Sequence, residues 1–257
     1  MRIAICFYGL HPNECFKGSQ KHEDLCPLFW KKNVFDKNNV DIFLHSFDIK
    51  NKDLLLKEYN PVSFIFENQK KFPNHIINPD KVENNRILKN YNMNWCELQY
   101  CAYYGVKKTA ELMTEYEMKH NFVYDFVLVT RIDVLWLKPL EFSKLKKDIF
   151  YLQKWGKDNI IGKNKNYREI LGNWYLSNSN NIKQFSKLYD KLPFYLKNGF
   201  IYEHKLYKMH IDTITKNIKY KFTSSDDCDL NEIFCEKLRA PINKFGINKI
   251  KNLLKKN

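Results

Sequence analysis

Residues 124–136 read YDFVLVTRIDVLW. Phe126 to Val129 form an unbroken apolar run, the pattern of a strand covered on both faces, as inner strands of a parallel sheet are. Thr130, Arg131 and Asp133 interrupt the run where such a strand would end. Open α/β sheets bind ligands outside the carboxyl ends of their strands. This stretch therefore sets both the fold class and the place to look for chemistry.

Three more apolar, β-branched or aromatic runs read as strands: Arg2 to Tyr8, Val40 to His45 and Val62 to Phe66. Between them, Asp24 to Phe35 and Lys52 to Tyr59 have helical spacing. The order β-α-β-α-β predicts a parallel, doubly wound, Rossmann-like sheet with helices on its faces. Pro73 to Asn94, rich in Asn, Asp, Lys and Pro, reads as a surface loop. From Met93 to His120, Cys96, Tyr100, Tyr103, Val106, Ala110 and Met113 recur at helical spacing, so a long helix leads into the 126–130 strand. Further on, the pattern predicts a strand at Asp148 to Gln153, a strand or turn at Asn173 to Leu176, and helices at Asn180 to Leu192 and Tyr202 to Lys216. The Ser-Asn cluster at 177–180 is suited to cap the first of these helices.

Composition narrows the class. The chain has 257 residues, of which 44% are hydrophobic and 16% aromatic, enough apolar surface for a sizeable core. The net charge of +14 raises nucleic acid, an anionic membrane or a phosphorylated ligand as partners. Its lysines accompany abundant Asn, Ile, Tyr and Phe, so coding bias accounts for part of that charge. Seven cysteines without a C-x-x-C pair argue against a zinc knuckle and against a fully paired secreted scaffold. The expectation is a cytoplasmic protein. The final KFGINKIKNLLKKN holds five lysines and no acid, with Ile247, Ile250, Leu253 and Leu254 roughly on one face. Either peripheral contact with the inner face of the cytoplasmic membrane or a solvated terminus follows from such a pattern. Residues 1–222 are expected to form the catalytic domain and residues 223–257 a helical basic tail.

The four strand ends carry Tyr8-Gly9-Leu10-His11, His45-Ser46-Phe47-Asp48, Glu67-Asn68-Gln69 and Thr130-Arg131-Ile132-Asp133. Gly9 allows close backbone approach, but neither a dinucleotide fingerprint nor a P-loop follows it. Arg131 and Asp133 alternate on an extended backbone, about 6–7 Å apart at Cα, and so face one side. Two readings are open: a site where Asp133 holds a divalent metal and the guanidinium meets phosphate, or an internal ion pair that closes the strand end.

The pattern Tyr-Asp plus four apolar residues, then Thr-Arg-x-Asp and Pro, resembles a sparsely characterised group of GT-A-like glycosyltransferases from bacterial surface-polysaccharide (capsule and lipopolysaccharide) clusters. VDIFLHSFD at 40–48, Gln99-Tyr100 and NWYLSNS at 173–179 resemble other segments of that group. The resemblance implies a mostly parallel GT-A-like sheet with a helical C-terminal part. It implies a nucleotide-sugar donor over the first strands, with Tyr8, Gly9, His45, Glu67, Gln99, Arg131 and Asp133 as contacts, and a glycan or lipid-linked acceptor. Asp133 would be the ligand of a Mn²⁺ or Mg²⁺ ion, with Arg131 standing where a D-x-D motif has its first Asp. Asp158, beside Trp155, is the leading candidate for catalytic base and Glu203 the second; Trp155 and His204 are candidate acceptor contacts. Asp227-Cys228-Asp229 is a literal D-x-D, but its Ser-Asp loop suits a helix N-cap. The alternatives are a catalytically inactive glycan-binding or partner-binding protein of this fold and, less favoured because its lysines are dispersed, a basic nucleic-acid binder.

Overall fold

A computed structural model of the chain describes residues 1–11, 25–72, 93–136, 138–155, 169–199, 203–214, 219–223 and 235–237. The first strand, β1 (Ile3–Tyr8), has every residue buried and lies between two parallel neighbours, β2 (Val40–Ser46) and β4 (Phe126–Arg131). A strand covered on both faces has no solvent side to which polar residues could be assigned, which is why IAICFY reads as a continuous apolar run. Its alternate side chains enter two cores. Ala4, Cys6 and Tyr8 pack with α3 (Met93–His120) and helices of the C-terminal part. Ile3, Ile5 and Phe7 pack with α1 (Leu25–Asn33) and α2 (Lys52–Tyr59).

The result is an α/β protein with a mostly parallel sheet between helical layers. The sheet has seven strands, ordered β3-β2-β1-β4-β7-β6-β8, where β3 is Ser63–Phe66, β6 is Ile149–Trp155, β7 is Glu169–Ser177 and β8 is Lys219–Thr223. Pairing is parallel from β3 to β4, antiparallel on both sides of β7, and parallel again between β6 and β8. Because β7 reverses direction and β6 reverses it again, β6 runs with β4. Trp155 thus ends β6 at the sheet edge where Arg131 ends β4.

The apolar pattern located β1 to β4 and α3 to within a few residues. Three features differ from the sequence expectation. Residues 180–192 are not one helix: α4 (Ser179–Ser186) stops at Lys187 and α5 (Leu188–Lys197) restarts, so that Ile182 and Phe185, then Leu188, Leu192 and Leu196, all reach the core. The Asn178 side chain caps α4 by accepting from the Asn181 amide at 2.9 Å. The segment around Asn173 is a full nine-residue strand. The expected helical tail at 223–257 is corrected where it is described: Thr223 ends β8, and β9 (Cys235–Lys237) is a strand paired antiparallel with β5 (Val134–Trp136), whose backbone groups need a partner. The lysine-rich terminus, Asp158 and the Asp227-Cys228-Asp229 motif lie outside the described residues. Among the described residues no helix is long and apolar enough to cross a membrane.

The last helix among the described residues, α6 (Glu203–Ile214), is held to α4 and α5 through His210, which is 1% exposed. Its Nε2 donates to the Phe185 carbonyl at 3.0 Å, so Nδ1 of the neutral ring accepts from the Tyr195 hydroxyl at 3.1 Å. Burial pushes this histidine down from 6.5 to about 4. Between those values the unfolded chain binds a proton that the folded chain refuses, so stability falls as pH falls through that window. At pH 4 the loss from this one site is on the order of 3 kcal/mol. Urea denaturation at pH 7 and pH 4 should show His210→Phe less stable than wild type at pH 7 but with a smaller drop on acidification; equal drops in the two proteins would refute this account.

Candidate functional site

Register builds the site. Tyr8 lies opposite both His45 and Arg131, so the carboxyl ends of β2, β1 and β4 finish side by side. Alternation puts these three side chains on the α3 face of the sheet, the face also taken by Phe43 and Val129. Gly9 follows with φ +115°, and a Cβ there would meet nothing within 4 Å, so the backbone beside it is open. Ser46 Oγ donates to the Gly9 carbonyl at 2.7 Å and accepts from the Asp48 amide at 2.9 Å. The Asp48 carboxylate accepts from the His11 amide at 3.1 Å and from the Asn51 side chain at 2.9 Å. Buried His11 also reaches Glu58 at 3.3 Å. Residues 9–11 after β1 and residues 46–51 from the end of β2 are therefore fixed to each other and to α2.

Arg131 and Asp133 form a two-pronged ion pair: Nε donates to Oδ1 at 2.7 Å and Nη2 to Oδ2 at 2.8 Å. Asp133 is 3% exposed at its side chain and Arg131 28%, so the carboxylate is sheltered and the arginine is partly exposed. Such fork geometry is the strong form of this interaction. It bears on the metal that the motif implies. Both oxygens of Asp133 are engaged, and among the described residues no group of three or more His, Cys, Asp or Glu is placed to hold a metal ion. The described donor set does not fit a divalent cation.

The second cluster joins β2 to the segment after β3. His45, 1% exposed, is 2.9 Å from Glu67 through Nε2, and Glu67 takes Lys70 at 2.8 Å on its other oxygen. Lys70 in turn donates to the Tyr104 hydroxyl on α3. Burial pushes the His45 imidazole below its ordinary value, and the Glu67 hydrogen bond opposes this without cancelling it. Burial pushes the Glu67 carboxyl up, but hydrogen bonds from Lys70, His45 and Tyr104 outweigh it and hold it below its ordinary value. A neutral imidazole thus donates to an ionised carboxylate that is 23% exposed. Phe47 stacks on Tyr104 at 5.9 Å, forming an aromatic wall.

Of the other expected site residues, Tyr8 is 2% exposed and gives its hydroxyl to the Gly172 carbonyl at 3.3 Å, so it belongs to the packing. Gln99 is buried in the first half of α3. Trp155 ends β6 at the crevice edge, and Glu203 and His204 open α6; the side chains of all three lie outside the described residues. Trp174 sits in the core against Trp136. Sequence reasoning missed Lys70, Tyr104 and Gly105; a glycine inside a helical pattern was the one available signal. A groove of about 360 Å³ at the opposite sheet edge includes Arg2, Asp41 and Phe122. There Arg2 stacks on Phe122 at 3.9 Å and Asp41 accepts from the Tyr124 hydroxyl at 2.7 Å, so its polar groups are engaged with their neighbours.

Fold and site together define an α/β protein with a charged crevice at the carboxyl ends of parallel strands. The family model described as "Domain of unknown function (DUF7796)" matches residues 1–173, and the chain belongs to that family. No curated protein matches it. Among solved structures it is similar to the CTP:phosphocholine cytidylyltransferase of Streptococcus pneumoniae, at 10% identity over 99% of this chain and 100% of that one, TM-score 0.49. It is also similar to 4-diphosphocytidyl-2C-methyl-D-erythritol synthase of Anaerococcus prevotii DSM 20548, at 11% identity over 99% and 98% of the two chains, TM-score 0.49.

Removing the guanidinium would leave the Asp133 carboxylate sheltered and unpaired. Arg131→Ala should cost about 2 kcal/mol in urea denaturation, less than a fully buried pair because the arginine is partly exposed. The double variant Arg131→Ala/Asp133→Asn should recover most of that loss. Additive losses would show that the two side chains do not depend on each other.

Proposed function

We propose that the chain is a GT-A-like glycosyltransferase that moves a sugar from a nucleotide-sugar donor to a surface-glycan acceptor, of capsule, lipopolysaccharide or related type. The observation that carries this reading is the convergence of Tyr8-Gly9, His45 with Glu67, and Arg131 with Asp133 at three adjacent parallel strand ends. The resemblance of the Thr-Arg-x-Asp segment to glycosyltransferases of polysaccharide clusters supports it.

In this reading the donor diphosphate lies over the open backbone at Gly9, and the partly exposed Arg131 meets its charge. Asp133 holds that guanidinium in orientation, and no step is routed through a metal ion. The bond from the sugar anomeric carbon to the diphosphate oxygen breaks, and negative charge builds on the departing phosphate beside Arg131. A bond from an acceptor hydroxyl oxygen to the anomeric carbon forms. The hydroxyl proton goes to a carboxylate, with Asp158 and then Glu203 as candidates for an inverting enzyme. The basic terminus would bring the protein to an anionic membrane where a lipid-linked acceptor is presented.

A second reading keeps the fold and removes turnover, leaving a glycan-binding or partner-binding protein. The engagement of both Asp133 oxygens by Arg131 favours it, because a D-x-D enzyme needs that carboxylate for its metal. Thermal-shift measurements with UDP-, GDP-, CMP- and dTDP-sugars, each with and without Mn²⁺, separate the two. The transferase reading expects one donor class to raise Tm in either condition, slow release of nucleotide from that donor, and at least tenfold weaker binding by Arg131→Ala. No stabilisation by any donor would leave the second reading.

A further inference from the structure

Gly105 lies in the interior of α3, where glycine is among the poorest helix formers. A Cβ at this position would stand 3.0 Å from Tyr8 Cβ, 3.2 Å from Tyr8 Cδ2 and 3.4 Å from His45 Nδ1. The nearest of these is not the tip of a flexible side chain. Tyr8 Cβ is fixed to the central strand, and the Tyr8 hydroxyl is tied to β7 through the Gly172 carbonyl. The helix is tied to the same strand nearby, where Cys6 Sγ donates to the carbonyl of fully buried Thr109 at 3.8 Å.

His45 is the one of the two neighbours that leads to the crevice. One edge of its ring faces Gly105, and the other, Nε2, holds Glu67 Oε1 at 2.9 Å. Phe47 and Tyr104 flank the ring edge-on at 4.9 and 5.4 Å, so it has no room to turn. Glu67 is partly exposed and is paired on its other oxygen with the more exposed Lys70.

We propose that Gly105 is a positioning residue of the crevice: lacking a side chain, it lets α3 close onto the β1 and β2 strand ends, and the His45 imidazole clamped beneath it holds the Glu67 carboxylate at the rim as an acceptor for the ligand. The ligand side of this inference rests on the donor-binding reading given above. The clamp itself is a property of the unliganded protein.

The test uses the full chain and two readouts. In ¹H–¹⁵N spectra of the imidazoles recorded without ligand, Gly105→Ala should move the His45 ring nitrogens in the direction in which Glu67→Gln moves them. For binding, the probe is whichever of UDP, GDP, CDP and ADP the wild type holds most tightly. Gly105→Ala and Glu67→Gln should each weaken it about tenfold, and the double variant should be no weaker than the worse single one. Unmoved His45 signals in Gly105→Ala, or losses that multiply in the double variant, would overturn the proposal. If Gly105→Ala does not fold, His45→Asn replaces it: non-additive weakening with Glu67→Gln supports the clamp, and wild-type affinity in His45→Asn overturns it. Should no nucleoside diphosphate bind the wild type, the donor-binding reading fails, and the ligand-free spectra still decide whether Gly105 sets His45.

Discussion

Strand β1 has no solvent-facing side. Each of its six residues is buried, with β2 and β4 on its edges and helices above and below. A backbone in that position satisfies its hydrogen bonds only through parallel neighbours, and its side chains only through apolar partners on both faces. Polar chemistry in the first half of the chain is thereby excluded from the sheet interior and gathers where the strands stop. The crevice follows from the burial of the strand that leads into it.

Two polar clusters at that edge differ in kind. Arg131 with Asp133 couples a sheltered carboxylate to a partly exposed cation within one turn of chain, so its geometry is local and stiff. His45, Glu67, Lys70 and Tyr104 draw on β2, the segment after β3, and α3, so their geometry exists only when those elements are assembled. The first can be read as a charge presented to a ligand. The second reports on how closely a helix sits against the sheet.

That difference also explains what was legible beforehand. A doubly buried strand must be apolar throughout, so β1, β2 and β4 are visible as runs, and their polar ends mark the crevice without any knowledge of tertiary contacts. Lys219–Thr223 and Cys235–Lys237 carry no such run, because a short strand with charged residues takes its conformation from the partner it pairs with. The break at Lys187 leaves no mark in the sequence pattern, because both halves keep helical spacing. The ion pair at Arg131 was foreseen as one of two options, and periodicity could not choose between them, since both place the two side chains on one face. The linkage of Lys70 to Tyr104 spans 34 residues of sequence, and no local pattern encodes it.

Gly9 and Gly105 ask for glycine on opposite grounds. At Gly105 even a methyl group would crowd Tyr8 and His45 by a few tenths of an ångström. At Gly9 a methyl group would find open space, yet φ of +115° is a conformation that L-residues rarely adopt. The demand there is on handedness and not on volume: the turn leaving the central strand is reserved for the one achiral residue, and a larger side chain would be refused by its mirror sense while fitting the space in front of it.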